Sequence, residues 1–322
     1  MEINGKRLDD PRRPYIIAEA SGNHNQDLQQ ARLLVQAAAA SGADAIKFQT
    51  FVAEEICADV PILFGHDPQH DAWCRKLGVT RLRELFMKGG LPRAWHQGLK
   101  QEAEDLGLAF LSTPFSVEAA RFLVEEVGVQ ALKIASGDLT FMPLLRYAAS
   151  AHLPLIVSTG GATLDEIDTA SQTCRTVWRQ RPGIHPPEDL LFLHCVSVYP
   201  CEETWANLGA IATMREYLGN IVGFSDHTLS TTTIPAMAVG LGAVCFEKHL
   251  RLHDDTASVD VSHSLDPDQF RVYVDTIRIC SQILGRGIKE PHPLEEHDRL
   301  FARRDPSDWL RPMMRGRFGD WK

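Results

Sequence analysis

Residues 15–50 read YIIAEASGNHNQDLQQARLLVQAAAASGADAIKFQT, and they spell one complete unit of fold. Tyr15–Ala20 and Ala45–Thr50 are short apolar runs, while Leu28–Ser41 carries the spacing of a helix and stops at Gly42, a residue suited to the left-handed turn that ends helices. Both runs stay apolar on successive residues rather than alternating. That pattern belongs to parallel strands covered on both faces, joined by a crossover helix.

Working outward, the same unit recurs along the chain. Further strands are expected at Leu108–Thr113, Ala131–Ser136, Leu155–Gly160, Leu190–Cys195, Ile221–His227 and Ala243–His249. Helical patterns lie at Ser116–Val127, Pro143–Ala151, Thr163–Arg179, Trp205–Leu218, Thr231–Leu241 and Asp266–Leu284. Eight strand-helix units close a barrel, so the fold class is α/β, a (β/α)8 TIM barrel over residues 1–299. Asn4-Gly5 between two short β-capable runs predicts a hairpin within residues 1–13 that plugs the bottom of the barrel. Residues 51–107 form an unusually long connection. Arg81–Leu106 reads as helix broken at Gly89-Gly90-Leu91-Pro92, whereas residues 51–80, with Pro61, Gly65 and Pro68, show no clear period and read as a lid over the mouth or a plain surface excursion. Residues 300–322 are expected to be a short basic and aromatic tail without a second domain.

Composition narrows the functional classes. The 322 residues include 44% hydrophobic and 23% charged residues, the balance of a globular protein with a large core. A net charge of −9 argues against nucleic acid, which needs clustered positive charge. The first twenty residues carry charges throughout, and no apolar run reaches spanning length, so neither a signal peptide nor a membrane segment is expected. Seven cysteines without a Cys-x-x-Cys pair suggest free thiols and a cytoplasmic protein.

Polar and ionisable residues cluster where each strand ends, the rim that carries chemistry in such barrels. Lys47 and Lys133 end the second and fourth strands, and two buried ammonium groups ask for an anionic ligand. Around them stand Ser112, Thr113, Ser136, Ser158, Thr159, Ser197 and Ser225, with Gly137, Gly160 and Gly161 admitting backbone amides to a phosphate; singly, each hydroxyl is as well read as a helix cap. His227 and His249 end adjacent strands and suit a divalent metal, or are hydrogen-bonded rim residues. Asp226 and Glu247 beside them would orient the rings. Glu19, Asp138 and Asp260 are candidate acids, bases or hydroxyl anchors, and Glu19 is alternatively an ion-pair partner of Lys47.

At these residues the chain resembles the sialic acid (N-acetylneuraminate) synthase family. The opening stretch quoted above, the block LSTPFSVEAARFLVEEVGVQALKIASGDLTFMPLLRYAASAHLPLIVSTGGATLDEI, then HCVSVYP, GFSDHT and EKHL occur in family order, and GRGIKEPHPLEEHDRLFARR resembles the stretch that ends the family's barrel. The resemblance runs from Met1 to about Arg304. It implies condensation of phosphoenolpyruvate with N-acetylmannosamine or a related 2-acetamido sugar. Phosphoenolpyruvate would be held by Lys47, Thr113, Lys133, Ser136, Ser158, Ser197 and Ser225, and a divalent metal, typically manganese with magnesium or cobalt as alternatives, by His227 and His249. Glu19, Gln49, Tyr199 and Asp260 would face the sugar, with Phe115 lining the site, Glu19 handling protons and Asp138 in a catalytic position. A homodimer is expected by family analogy.

Three departures bear on the acceptor. The family has Glu where Asp138 stands, and P-G-P-D where this chain has Ala257-Ser258-Val259-Asp260. It also adds an antifreeze-like domain whose arginine recognises the N-acetyl group; here the expectation is an altered acceptor, or a tail arginine such as Arg311, Arg315 or Arg317 in its place. Two other readings stay open: the same carbon–carbon bond formation on a phosphorylated or nucleoside-linked aldehyde, and a non-catalytic sugar-binding or scaffold barrel.

Overall fold

The computed structural model describes residues 1–63, 68–180, 190–253, 255 and 257–313; Gly65, Arg315 and Arg317 lie outside them. Two compact units divide the chain, Met1–Ile283 and Leu284–Lys322.

The first unit is the barrel. Its parallel strands are β1 Tyr15–Glu19, β2 Ala45–Thr50, β3 Ala109–Pro114, β4 Leu132–Ile134, β5 Leu155–Ser158, β6 Leu190–His194, β7 Ile221–Asp226 and β8 Cys245–His249. Hydrogen bonding runs in the order β3-β2-β1-β8-β7-β6-β5-β4, and β3 packs beside β4 to close the ring. Between the strands come α1 Leu28–Ala40, α2 His96–Asp105, α3 Val117–Arg121, α4 Met142–Ser150, α5 Leu164–Arg179, α6 Gly209–Leu218 and α7 Thr233–Gly240, and after the last strand comes α8 Pro267–Leu284. The helix expected over Ser116–Val127 changes at Phe122 into a wider π-turn that ends on left-handed Gly128. The helix starts are written locally: the Asp27 carboxylate accepts from the Gln29 and Gln30 amides, and Thr163 with Glu166 forms a capping box.

Strand alternation splits the apolar residues into two cores. Ile16, Ala18, Ile46, Phe48, Phe110, Phe192 and Phe246 face outward under the helices. Ile17, Ala45, Ala109, Leu111, Ala131, Ile156, Leu191 and Leu193 face inward and fill the barrel. Ile3 and Leu8 join the inner core, so the hairpin of Glu2–Ile3 and Lys6–Arg7 stoppers the N-terminal end, as its Asn-Gly turn predicts. Asn4 and Gly5 both take positive φ, 50° and 69°, the geometry of the tight hairpin turn. Burying each of the two apolar anchors contributes roughly 1.5–3 kcal/mol. Asp44 pins the same end: its carboxylate lies 3.0 Å from Lys6, 3.4 Å from Arg13 and 2.6 Å from Arg278, and accepts the Ile16 amide at 3.0 Å.

The connection after β2 is more ordered than its sequence suggests. Short helices Ala53–Ile56 and Leu82–Phe86 flank a ten-residue helix, Pro68–Leu77, and Ile62, Cys74 and Val79 form a separate small core. With only three buried apolar anchors, the segment shows no extended periodicity. None of the seven cysteines is in a disulfide, and among the described residues no helix is long and apolar enough to cross a membrane.

In the second unit a 3-10 turn, Pro293–Glu295, leads into the helix Glu296–Ala302. Arg304 there donates to the Trp309 carbonyl and Arg311 to the Ala302 carbonyl.

Candidate active site

Alternation along the strands decides which side chains reach the mouth. Glu19, Lys47, Thr113, Lys133, Ser158, Cys195 and Glu247 each stand two residues beyond an inner-core residue: Ile17, Ala45, Leu111, Ala131, Ile156, Leu193 and Cys245. They line a cavity of about 230 Å³ together with Gln49, Phe115, Ser136, Ser197, Tyr199, Ser225, His227 and His249. Thirteen of the fifteen residues to which the family resemblance assigns a role therefore share one space, the exceptions being Asp138 and Asp260.

Asp138 ends a 3-10 turn just after β4, half-buried, with Oδ2 lacking a hydrogen-bond partner. Burial pushes its carboxyl up to about 6. Asp260 sits in the loop after β8, where its Oδ2 accepts from the Ser21 hydroxyl and, at 3.3 Å, from the Gly22 amide. Gln49 Nε2 reaches both Ser21 Oγ, at 2.8 Å, and Glu19 Oε1, at 3.2 Å. Glu19, Gln49, Ser21 and Asp260 thus form one hydrogen-bonded chain across the rim.

The two lysines meet anions supplied by the chain itself. Lys47 Nζ lies 2.6 Å from Glu19 and 3.6 Å from Glu247, and donates to Thr113 Oγ1 at 3.0 Å. Lys133 Nζ lies 3.8 Å from Glu247 and donates to the Ile134 carbonyl at 3.1 Å. The ion-pair reading of Glu19 with Lys47 is what the geometry displays, and it puts that carboxyl inside the cavity. Burial is the largest influence on all four groups. It raises Glu19 to about 7 despite Lys47, and it lowers Lys133. Lys47 stays above its ordinary value because Glu19 and Glu247 outweigh burial, and Glu247 stays below its own because Lys133 and Lys47 do. The anion-poor partner is Lys133, and a buried ammonium in that state is stabilised by an incoming anion.

The hydroxyls divide by strand face. Ser225 donates to Glu247 at 3.1 Å, and Ser158 Oγ is buried with no hydrogen-bond partner. Ser112 points outward, 2.6 Å from Thr50 Oγ1, and Thr159 donates to the Leu193 carbonyl, so neither serves the cavity. Of the three glycines, Gly160 is the one the packing demands: a Cβ there would meet Ser197 Oγ at 2.2 Å and Ser136 Oγ and Cys195 Sγ at 3.0 Å. Its amide is already donated to Ser136 Oγ at 2.9 Å, which corrects the expectation that it lies open to a phosphate.

The histidines fit a metal on the chemistry of their free atoms. His227 Nδ1 donates to the Val196 carbonyl at 2.7 Å, which leaves the Nε2 lone pair free. His249 Nδ1 is buried without a partner. Burial pushes His227 down to about 3 and His249 well below its ordinary value, so both rings are neutral, the form that binds metals. Asp226 does not orient them; it faces outward, 3.8 Å from Lys248, and caps the Thr228 amide. Glu247 does not orient them either, being spent on the lysines.

Sequence reasoning missed His263. It lies in a short 3-10 turn, Val261–His263, and its ring centroid stands 4.4 Å from that of His249 and 4.9 Å from that of Tyr199. No strand end or periodicity marks it; only the return of the loop over β8 brings it to the rim.

The model of the NeuB family matches residues 34–289. An N,N'-diacetyllegionaminic acid synthase of Legionella pneumophila is 37% identical over 294 residues, 90% of this chain and 78% of that protein. The pseudaminic acid synthase of Helicobacter pylori is 34% identical over 296 residues, 90% of this chain and 81% of that one. The crystal structure of an N-acetylneuraminic acid synthetase from Leptospira borgpetersenii in complex with citrate superposes with a TM-score of 0.75 at 32% identity, covering 89% of this chain and 90% of the other.

Proposed function

The chain belongs to the NeuB family of sugar-acid synthases, which condense phosphoenolpyruvate with a sugar, and from that membership we propose that its acceptor is a 2-acetamido aldose of the N-acetylmannosamine type. The products are phosphate and a 3-deoxy-2-ketoacid sugar. One observation carries the assignment of the site: a single cavity of about 230 Å³ brings together Lys47, Lys133, four serines, Thr113 and two neutral histidines.

Lys47, Lys133, Thr113, Ser136, Ser158, Ser197 and Ser225 bind phosphoenolpyruvate, its charge offsetting the ammonium that burial leaves under-compensated. Gln49 and Tyr199 are assigned to the acceptor, Phe115 lines the same cavity, and Asp138 is not among the residues that line it. His227 and His249 would hold the divalent cation, manganese in this reading with magnesium or cobalt as alternatives, which supplies Lewis-acid polarisation of an aldehyde. C3 of phosphoenolpyruvate bonds to the aldehyde carbon, water adds at C2, and the C2–O bond to phosphate breaks. The added water gives up both protons, one to the aldehyde oxygen and one to the departing phosphate, and its oxygen becomes the C2 ketone. Glu19 lies in the cavity beside Lys47 and is the carboxyl assigned to that transfer. Fixed ammonium and hydroxyl groups stabilise the charges without reorganising.

The test is phosphate release and product mass after incubation with phosphoenolpyruvate, manganese and a panel of aldoses. Release that depends on a 2-acetamido aldose, with a product carrying the added three-carbon acid, is the expected result. Release only with a phosphorylated or nucleoside-linked aldehyde overturns the acceptor, and no acceptor-dependent release overturns the assignment.

A further inference from the structure

Three potential donors converge on one point of the rim. A ligand atom from each of His249, Asp260 and His263 lies within 4.8 Å of the others. Atoms bonded to one divalent ion at 2.0–2.2 Å sit roughly 3–4 Å apart, and Asp260 Oδ1 is 3.7 Å from His263 Nε2. The orientation of each group is set from behind. Ser21 and the Gly22 amide hold Asp260 through Oδ2, which turns Oδ1 toward the histidines. His263 Nδ1 sits 3.4 Å from Ser262 Oγ, leaving Nε2 inward.

One ring nitrogen of each histidine, His249 Nδ1 and His263 Nε2, is buried without a hydrogen-bond partner. Each such orphan destabilises the fold unless something binds it. A ring packed there for shape alone would be better as phenylalanine. Its neighbours His227 and Tyr199 are 6.1 and 4.9 Å away ring to ring, and neither answers the orphaned nitrogens.

We propose that His263 and Asp260 are metal ligands in this chain, joining His249 in a site of two imidazoles and one carboxylate. The inference rests on the divalent cation of the function proposed above and changes what holds it. A donor set this rich in imidazole favours first-row transition ions and disfavours magnesium, which prefers oxygen ligands and keeps its waters. Three protein donors would leave positions open for oxygens from substrate or water.

Chelator-stripped full-length protein, titrated with manganese chloride by calorimetry and with cobalt chloride by visible absorption, tests the proposal. His263→Ala is expected to weaken manganese binding by about tenfold or more and to change the cobalt band; His263→Phe, which keeps the ring volume and removes the donor, should do the same if the alanine variant folds poorly. Magnesium should fail to compete at equal concentration. Manganese affinity within twofold of the parent and an unchanged cobalt spectrum in either folded variant, while His249→Ala loses the metal, overturns the ligand role of His263 and leaves the two-histidine site standing. A parent protein that binds neither ion overturns both.

Discussion

Glu19 Oε2 stands 2.6 Å from Lys47 Nζ across the seam between β1 and β2, and both side chains are buried. The pair sits on the cavity rather than behind it, so removing the carboxylate changes chemistry more than folding.

Glu19→Gln is expected to lower kcat by about a hundredfold or more, the scale of a lost proton-transfer group. Lys47 keeps Glu247 and Thr113 as partners, so phosphoenolpyruvate binding measured by calorimetry should change much less. Equal losses in kcat and in affinity would show that Glu19 only holds Lys47 in place.

Gly160→Ala drives a methyl group into Ser197, Ser136 and Cys195. The hydroxyls on that side of the cavity must shift, and KM for phosphoenolpyruvate should rise about tenfold or more while circular dichroism stays that of the parent. Unchanged KM would place the phosphoenolpyruvate site elsewhere on the rim.

His96 is fully buried and bonded to Thr50 Oγ1 at 2.7 Å. Burial pushes it from 6.5 down to about 4. The unfolded chain therefore takes up this proton first as pH falls, so the stability contribution is complete above pH 6.5 and is lost on descending to about 4, an effect of roughly 3 kcal/mol. Urea denaturation across that window should show a loss for the parent and a shallower one for His96→Asn. Identical slopes would refute the assignment.

Asp44→Ala removes the carboxylate that gathers Lys6, Arg13 and Arg278 at the closed end. These cations are partly exposed and screened, so the cost is set chiefly by the Ile16 amide and the short Arg278 pair, about 2–4 kcal/mol in urea denaturation. The folded fraction should keep its kcat, because the substitution lies at the opposite end from the cavity.

The barrel was legible because each strand changes from apolar to polar at its last residues, and parity then separates Lys47 from Phe48. The same parity puts Glu247 on the inward face with His249, but only the fold shows that its carboxylate reaches Lys47 and Lys133 at 3.6 and 3.8 Å. Ser112 stands among hydroxyl-rich strand ends, but its parity turns it outward to Thr50. His263 was invisible for a different reason: a loop has no period, and its place depends on where the chain returns. The Pro68–Leu77 helix escaped because its partners, Ile62 and Val79, lie outside it.

Ile3 and Leu8 seal the foot of the barrel, so substrates are expected to enter from the opposite end. The ammonium groups gather around Glu247, one inward step below His249 on the same strand, so whatever occupies the lysines must arrive before the molecule that rests against the imidazoles. Binding is therefore expected to be ordered, enol phosphate first and sugar second. Initial-rate and product-inhibition patterns would reveal a random sequence if that queue does not exist.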